Sequence, residues 1–429
     1  MARSMISPAR TSRPWQLWAL LILFLLLGTD AALRAQSPAS QAIEYRGGRW
    51  FDGTRFAART MYVVDGTFRT RRPARVDAVV DLAGGYVVPP FADAHQHLVD
   101  PRIDNTIRAY LRDGIFYVRD QSNAPIGRRA FHAMLNRPTT FDYVSANQGW
   151  TSPGGHPVEV VLRAGPPESP MGRMVRERMT PDFVMQVDTP ADVERLWPIF
   201  LAGDPRPDLV KVFLFRSEQH ARLRADPRFE GNRGIDPALV PTIVRLAHQA
   251  GLPVSAHVFT AADFRTAVAA GVDWIAHLPG GRGTAAQFLL TDADARLARR
   301  RGVTVATTVT QHGDQALTDQ LIRDQYAHNI RLLRRHGVPL LLGSDKFGET
   351  AVVEAEALAR SGLFTNLELL RMWSVTTPRA IFPSRRIGRL RDGYEASFLV
   401  LGGDPLADFA NTRRIQRRVK QGVPIEVAG

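Results

Sequence analysis

Between residues 91 and 384, short apolar segments alternate with segments of helical character, and this alternation constrains the fold more than any other feature. Glycine often stands between a helical segment and the next apolar one, as at Gly251 and Gly302. Eight segments are predicted strands: Phe91 to His97, Ile115 to Arg119, Phe141 to Ala146, Leu209 to Leu214, Pro253 to His257, Val272 to His277, Val303 to Val309 and Pro339 to Asp345. The pattern predicts an α/β chain built on a (β/α)8 TIM barrel, whose active sites gather at the carboxyl ends of the strands.

The flanking segments have a different character. Turn pairs such as Asp52-Gly53 and Asp65-Gly66 separate β-rich pieces, and strand and turn chemistry returns after residue 385. We expect residues 41–90 and 385–429 to form one discontinuous β-sandwich beside a barrel at 91–384. Residues 148–207 form a long connection, rich in Gly and Pro near its start, which is typical of a lid or binding loop.

The amino terminus has the layout of a secretory signal. Three arginines precede an apolar run from Trp18 to Gly28, and small residues follow it. We expect a signal peptide over residues 1–35, export to the periplasm or the extracellular space, and no stable membrane span after cleavage. An uncleaved anchor is the alternative.

Composition narrows the chemistry. The net charge of +13 comes from arginines scattered through every segment, so a nucleic-acid partner is not expected, and a small-molecule substrate is. Cysteine is absent, which leaves histidines and carboxylates as metal ligands. Only three of the 55 basic residues are lysines: Lys211, Lys346 and Lys420. The sequence permits a homo-oligomer without indicating one.

Six residues that can bind metal fall toward the carboxyl ends of five predicted strands. Residues i and i+2 of a strand share a face, so His95 and His97 form a pair of ligands at the end of the first strand. Alone, such a pair also fits two polar residues at a strand end. The full set comprises His95, His97, Lys211, His257, His277 and Asp345.

Lys211 stands inside an apolar strand, where burial of an ammonium group is costly. Burial would lower the pKa of the amine, and a neutral amine can take up carbon dioxide to form a carbamate that bridges two cations. Arginine cannot do this. The alternative is a lysine whose amine reaches solvent or pairs with an acid.

These residues and several further motifs resemble the amidohydrolase superfamily of metal-dependent hydrolases. Within it the chain is most similar to the imidazolonepropionase-like and Xaa-Pro dipeptidase-like branch. The motifs are Val87-Val88-Pro89-Pro90-Phe91-Ala92-Asp93-Ala94-His95-Gln96-His97, Pro153-Gly154-Gly155-His156, Val210-Lys211-Val212, Ala256-His257, Ala276-His277, Gly343-Ser344-Asp345 and Gly402-Gly403-Asp404-Pro405.

The resemblance implies one or two divalent ions, with zinc as the expected metal and two ions if Lys211 is carbamylated. It divides the ligands into three sets: His95, His97 and Asp345 on one ion, His257 and His277 on the other, and modified Lys211 between them. Asp345 would also take a proton from the attacking water and pass it to the leaving nitrogen.

Three further residues are weaker site candidates. His156 can donate to a substrate carbonyl or carboxylate, or it is an ordinary loop histidine. Lys346 can meet a substrate carboxylate, or it forms a salt bridge at the rim of the barrel. His312, after the seventh strand, is placed similarly.

The sequence therefore predicts a hydrolase that cleaves a C–N bond of a small molecule, an amide, peptide or cyclic amide, through a metal-activated hydroxide. The same metal site acting on a lactone, ester or organophosphate, or as a deaminase, is the first alternative. A catalytically silent binding protein on the same fold is the second.

Overall fold

The structure is a computed structural model that describes residues 41–98, 103–123, 125, 128–163, 165–226, 228, 231–311 and 319–427. The predicted signal peptide at residues 1–35 lies outside these ranges. No helix within them combines the length and apolar character needed to cross a bilayer.

The described part of the chain contains eighteen strands in three sheets. Their bounds are β1 Ala42–Phe51, β2 Phe56–Val64, β3 Thr67–Arg69, β4 Ala78–Asp81, β5 Tyr86–Val88, β6 Phe91–Gln96, β7 Ile115–Asp120, β8 Asp142–Ser145, β9 Gly149–Thr151, β10 Val184–Gln186, β11 Val210–Phe213, β12 Val254–His257, β13 Trp274–Ile275, β14 Thr304–Ala306, β15 Leu340–Leu341, β16 Phe398–Leu401, β17 Ile415–Lys420 and β18 Val423–Pro424.

Helices fill most of the intervals between the parallel strands. The α-helices are α1 Ile103–Arg112, α2 Arg128–Met134, α3 Val158–Leu162, α4 Pro170–Glu177, α5 Pro190–Leu201, α6 His220–Arg224, α7 Val240–Gln249, α8 Ala261–Ala270, α9 Ala285–Phe288, α10 Asp292–Arg301, α11 Gln320–Arg335, α12 Val352–Arg360, α13 Asn366–Arg371 and α14 Thr377–Ile381. Tighter or wider helical turns occupy Met179–Phe183, Ser217–Gln219, Pro237–Leu239, Met372–Thr376 and Phe409–Arg413.

Two of the sheets are entirely parallel. One has the order β10-β9-β11-β12-β13-β14-β15 and the other the order β6-β7-β8. Strands β6, β7 and β11 are buried at every residue, as expected for parallel strands covered on both faces. Each of the eight predicted segments overlaps one of these strands.

Backbone hydrogen bonds join the two parallel sheets at both edges. The amide of Ala94 donates to the carbonyl of Leu342 at 2.9 Å, and the amide of Asp208 donates to the carbonyl of Ser145 at 2.8 Å. The carboxyl ends of the strands, where the candidate ligands stand, therefore lie side by side.

The connection at residues 148–207 is more ordered than a simple lid loop. It holds β9, α3, α4, β10 and α5, and the Val175 and Phe183 side chains are buried in a small apolar cluster of its own. Helix α5 begins after Thr189, whose side chain accepts a hydrogen bond from the Asp192 amide in a reciprocal capping box. The segment can therefore present fixed side chains to the strand ends.

The third sheet combines both ends of the described chain, in the order β18-β17-β16-β5-β1-β2-β3 with β4 paired to β1. Strand β16 runs antiparallel to β5, with Leu399 opposite Val88. Trp50, Phe68 and Phe398 pack together in its core, with ring centroids 5.5 to 5.9 Å apart.

Lys420 links this sheet to the parallel strands. Its side chain is fully buried, and its ammonium group donates to the carbonyls of Arg137 and Thr140 at 2.7 and 2.8 Å and to the Asp142 carboxylate at 2.5 Å. The other Asp142 oxygen accepts from Arg385 at 2.7 Å. The three donors of an ammonium group match the three acceptors, which explains a lysine here in an arginine-rich chain.

We expect Lys420→Met to lower the free energy of unfolding by about 3 to 5 kcal/mol, because it leaves one oxygen of a buried carboxylate and two carbonyls without their donor. The midpoint of urea unfolding measures this. Lys346→Met is the matched control, since Lys346 pairs with Glu349 at the surface and such a pair contributes about 1 kcal/mol or less. Equal, small effects for both variants would refute the structural role of Lys420.

Candidate metal centre

His95 and His97 bring their rings together with Asp345 at the end of β6. The two Nε2 atoms are 3.3 Å apart, and each lies 3.4 Å from Asp345 Oδ1. The alternation of side chains along the strand places both rings on one face, as predicted.

The remaining ring nitrogens fix which atoms face the centre. His95 Nδ1 donates to the carbonyl of Ala276 at 2.9 Å, and His97 Nδ1 donates to the carbonyl of Ser122 at 2.5 Å. Burial lowers the pKa of His97 to about 4 and that of His95 well below its usual value, so both rings are neutral. Each Nε2 therefore presents a lone pair.

Two imidazole lone pairs and a carboxylate oxygen thus converge at 3.3 to 3.4 Å. These groups repel one another unless a cation lies among them, and neutral nitrogen and carboxylate oxygen are the donors that zinc and related divalent ions prefer. The residues therefore fit a divalent metal ion.

Buried carboxylates that sequence reasoning did not single out hold this pair in place. Asp93 accepts from the His95 amide at 3.1 Å. Asp120 accepts from the amides of Leu98 and Ser122, both at 2.9 Å. It therefore fixes the two backbone segments that the hydrogen bond from His97 to the Ser122 carbonyl joins. Such outer contacts orient metal ligands and fix their tautomers.

His277 lies between the first pair and His257. Its ring centroid is 4.4 Å from that of His95 and 4.5 Å from that of His257. His277 Nδ1 lies 3.1 Å from Thr308 Oγ1 and 3.6 Å from Asp345 Oδ2. One ligand atom each from His95, His277 and Asp345 falls within 4.8 Å of the others. This group contains residues from both ligand sets that the resemblance implies, so the two sets adjoin at His277.

His257 ends β12 and supplies a nitrogen that is available to a metal. Its Nε2 is buried and has no hydrogen-bond partner among the described residues. Burial lowers the pKa of His257 well below the usual value, and the neighbouring His277 and His156 lower it further. A buried nitrogen of this kind is costly unless it binds something, and a metal ion accounts for it.

Lys211 is fully buried in β11, as the sequence predicts. Its Nζ donates to Gln121 Oε1 at 3.3 Å and lies 5.3 Å from the centroid of the Phe213 ring. Burial lowers the pKa of the amine, and the field of Asp345 opposes that effect. Gln121 also donates to the carbonyl of Ala94 at 3.2 Å and so connects the lysine to β6, a contact that the sequence does not reveal.

Asp345 follows β15 in an uncommon backbone conformation. Its φ is +49°, and its amide donates to the carbonyl of His95 at 2.9 Å. Aspartate is one of the residues that adopt this left-handed region more readily than most, and such conformations occur at functional sites. Burial raises the pKa of Asp345, and the nearby Lys211 lowers it.

A cavity of about 780 Å³ opens onto these ligands, with His97, His257, His277 and Asp345 in its wall. His156 lines it as well. Its Nδ1 donates to Glu159 Oε1 at 2.7 Å, and its ring centroid lies 4.7 Å from that of His257. The structure thus brings His156 beside the ligand cluster, with Glu159 as a partner that sequence reasoning missed.

The two remaining candidates have different positions. Lys346 Nζ lies 3.2 Å from Glu349 Oε1, and Lys346 is absent from the lining of the cavity. In this structure Lys346 therefore forms a salt bridge, which is the alternative to a contact with a substrate carboxylate. His312 lies outside the described residues.

Comparisons with known proteins identify a family and a fold. The model of the amidohydrolase family matches residues 204–423, which is about half of the chain. A search of curated proteins found no match.

Several solved structures share the fold. An ochratoxinase from A. niger is 16% identical with a TM-score of 0.70, covering 91% of this chain and 96% of its own. A prolidase complexed with N-methylphosphonate-L-proline is 18% identical with a TM-score of 0.69. A Xaa-Pro dipeptidase with methionine bound in its active site is 16% identical with a TM-score of 0.67. Each of these two alignments covers 90% of this chain and 100% of the other protein. These likenesses show a TIM-barrel-like fold, and the family match shows that the chain belongs to the amidohydrolase family.

Proposed function

We propose that the protein is a metal-dependent amidohydrolase that cleaves a C–N bond of a small molecule, an amide, a peptide bond or a cyclic amide. The observation that carries this proposal is the convergence of two neutral imidazole nitrogens and a carboxylate at 3.3 to 3.4 Å, beside a cavity of about 780 Å³ that His97 and Asp345 line. The similar structures, which include a prolidase, a molinate hydrolase and a phenylurea hydrolase, support the choice of bond.

We assign the ligands as the resemblance implies. His95, His97 and Asp345 would hold one ion, His257 and His277 the other, and carbamylated Lys211 would bridge them. Zinc suits these donors. A divalent ion bound here lowers the pKa of water to roughly 7 and polarises a carbonyl group.

Asp345 has the position and environment for proton transfer. Its carboxylate lies against His95, His97 and His277 and also lines the cavity where a substrate must enter. Oδ1 and Oδ2 can take a proton from water and hand it to the leaving nitrogen.

His156 is placed to orient the substrate. Because Nδ1 is engaged with Glu159, Nε2 is the ring nitrogen left to contact a substrate carbonyl or carboxylate. Glu159 keeps the ring from rotating and is thus a positioning residue for His156.

The wider architecture is part of the proposal. We infer that β8 and β9 are two halves of the third strand of a closed eight-stranded barrel at 91–384, beside a β-sandwich from 41–90 and 385–429. Hydrogen bonds between the two parallel sheets and the pairing of β16 with β5 support this arrangement. Export to the periplasm or the extracellular space, directed by residues 1–35, is proposed on the sequence pattern alone.

The experiment is a hydrolysis screen of the purified protein against amides, dipeptides, cyclic amides and lactones. It is run as purified, after removal of metal with a chelator, and after reconstitution with zinc. We expect amide cleavage that the chelator abolishes and zinc restores. Cleavage of lactones alone would reject the proposed bond class, and no cleavage by the reconstituted protein would reject the enzyme.

A further inference from the structure

A row of aromatic rings leads away from the candidate metal ligands. The Phe215 ring stacks on His257, with centroids 5.9 Å apart and an interplanar angle of 13°. Phe259 stacks on Phe215 at 4.5 Å and 5°, and Phe288 meets the edge of Phe259 at 5.3 Å. Phe215 and Phe259 both line the cavity, so the row forms part of its wall.

The packing around this row leaves little room for the rings to move. A side chain at Gly281 would place its Cβ 2.9 Å from Phe259 and 3.0 Å from Phe288. The Arg216 guanidinium lies 5.7 Å from the centroid of Phe215 and 5.5 Å from that of Phe259. The wall is therefore preformed, which lowers the entropic cost of binding an apolar group.

Apolar surface is also exposed at the same cavity. Seven large apolar side chains are exposed in the described part of the chain, and three of them, Val160, Met171 and Phe347, line this cavity. Exposed apolar surface concentrated at one site marks a place where an apolar partner or ligand binds. The cavity volume of about 780 Å³ is within the range of pockets that enclose drug-sized molecules.

We propose that the substrate amide carries a bulky apolar group, with an aromatic ring preferred, that packs against Phe215 and Phe259. This inference rests on the proposed function and adds a substrate class to it. Phe215 and Phe259 are then specificity-determining residues, because flat rings beside the reacting bond favour another ring over a methyl group.

The test compares three N-acyl amino acids that share one amide and one carboxylate. N-acetylalanine is the small reference, N-acetylphenylalanine carries a ring on the amine side, and 3-phenylpropanoyl-alanine carries a ring on the acyl side. We expect kcat/KM of the zinc-reconstituted protein to be about 10- to 100-fold higher for at least one aromatic compound, as burial of a phenyl ring implies. Calorimetry on the metal-free protein should show the same order of affinities.

Phe259→Ala should reduce this preference at least about 5-fold, whereas Phe364→Ala should leave it unchanged. Phe364 is the matched control because it is half-buried beside Arg334 and lies outside the cavity lining. Hydrolysis of N-acetylalanine as fast as both aromatic compounds, with equal affinities, would overturn the inference and leave the proposed function standing. Tighter binding of the aromatic compounds in calorimetry without any hydrolysis would support the aromatic preference and reject the proposed function.

Discussion

Replacement of Lys211 by arginine is expected to lower kcat/KM at least about 1,000-fold and to remove bound metal at the same time. Lys211 is fully buried, with its Nζ 3.3 Å from Gln121 Oε1. Arginine stays protonated and cannot carry a carbamate, so the variant places a fixed positive charge where the proposal needs a negative one. A metal ion supplies several kcal/mol of transition-state stabilisation, and each 1.36 kcal/mol is a tenfold change in rate.

Lys211→Glu separates the bridging role from a merely structural one. Its carboxylate resembles a carbamate in charge and donor atoms, so this variant should retain more metal than Lys211→Arg. Steady-state kinetics and elemental analysis of both variants provide the measurement. Full metal content and full activity in Lys211→Arg would show that the lysine only fills space in β11.

Asp345→Asn is expected to lower kcat at least about 1,000-fold, because it removes both a metal ligand and the proposed proton carrier. The change preserves the shape of the side chain and leaves the backbone contact between Asp345 and His95 intact. Circular dichroism should therefore remain that of the wild type while single-turnover hydrolysis is lost.

Asp93→Asn is the matched control for Asp345→Asn. Asp93 also lies near His95 and is fully buried, whereas Asp345 is partly exposed, and burial raises the pKa of Asp93 to about 7. An asparagine keeps an oxygen that can accept from the amides of His95 and Ser344, so we expect less than about a tenfold loss. Equal losses in the two variants would indicate that any polar change near His95 disables the site and that Asp345 has no special role.

The positions of the candidate metal ligands are predictable because they depend on local patterns. An apolar strand that ends in a polar residue is visible in the sequence, and parallel strands bring those ends to one side of the fold. His95, His257 and Asp345 were located in this way, and Lys211 as a rare lysine inside an apolar strand. The structure places His95, Lys211 and His257 on β6, β11 and β12, and Asp345 four residues after β15. The family assignment was confirmed by the match over residues 204–423.

The groups that hold these residues in place were not predictable. Asp120 ends β7, Gln121 follows it, and Glu159 lies in α3. Their partners are distant in the sequence or depend on side-chain orientation, so the sequence does not reveal these contacts. Phe215 and Phe259 likewise follow two different strands, so their stacking depends on strand order rather than on sequence spacing.

Lys420 shows an intermediate case. The scarcity of lysine marks it as unusual, but two of its three acceptors are backbone carbonyls, and residue identity does not encode a carbonyl contact. The same limit applies to the connection at 148–207, where Gly and Pro near its start suggested a loop and the buried cluster around Val175 was not apparent.

Elemental analysis of the wild-type protein tests the central claim most directly. The protein is reconstituted with zinc and bicarbonate, freed of unbound metal, and measured for metal per chain. The account predicts two ions per chain, because the two proposed ligand sets adjoin at His277 and a carbamate on Lys211 would connect the two ions. A value below one ion per chain would contradict the claim that His95, His97, Lys211, His257, His277 and Asp345 form a metal centre.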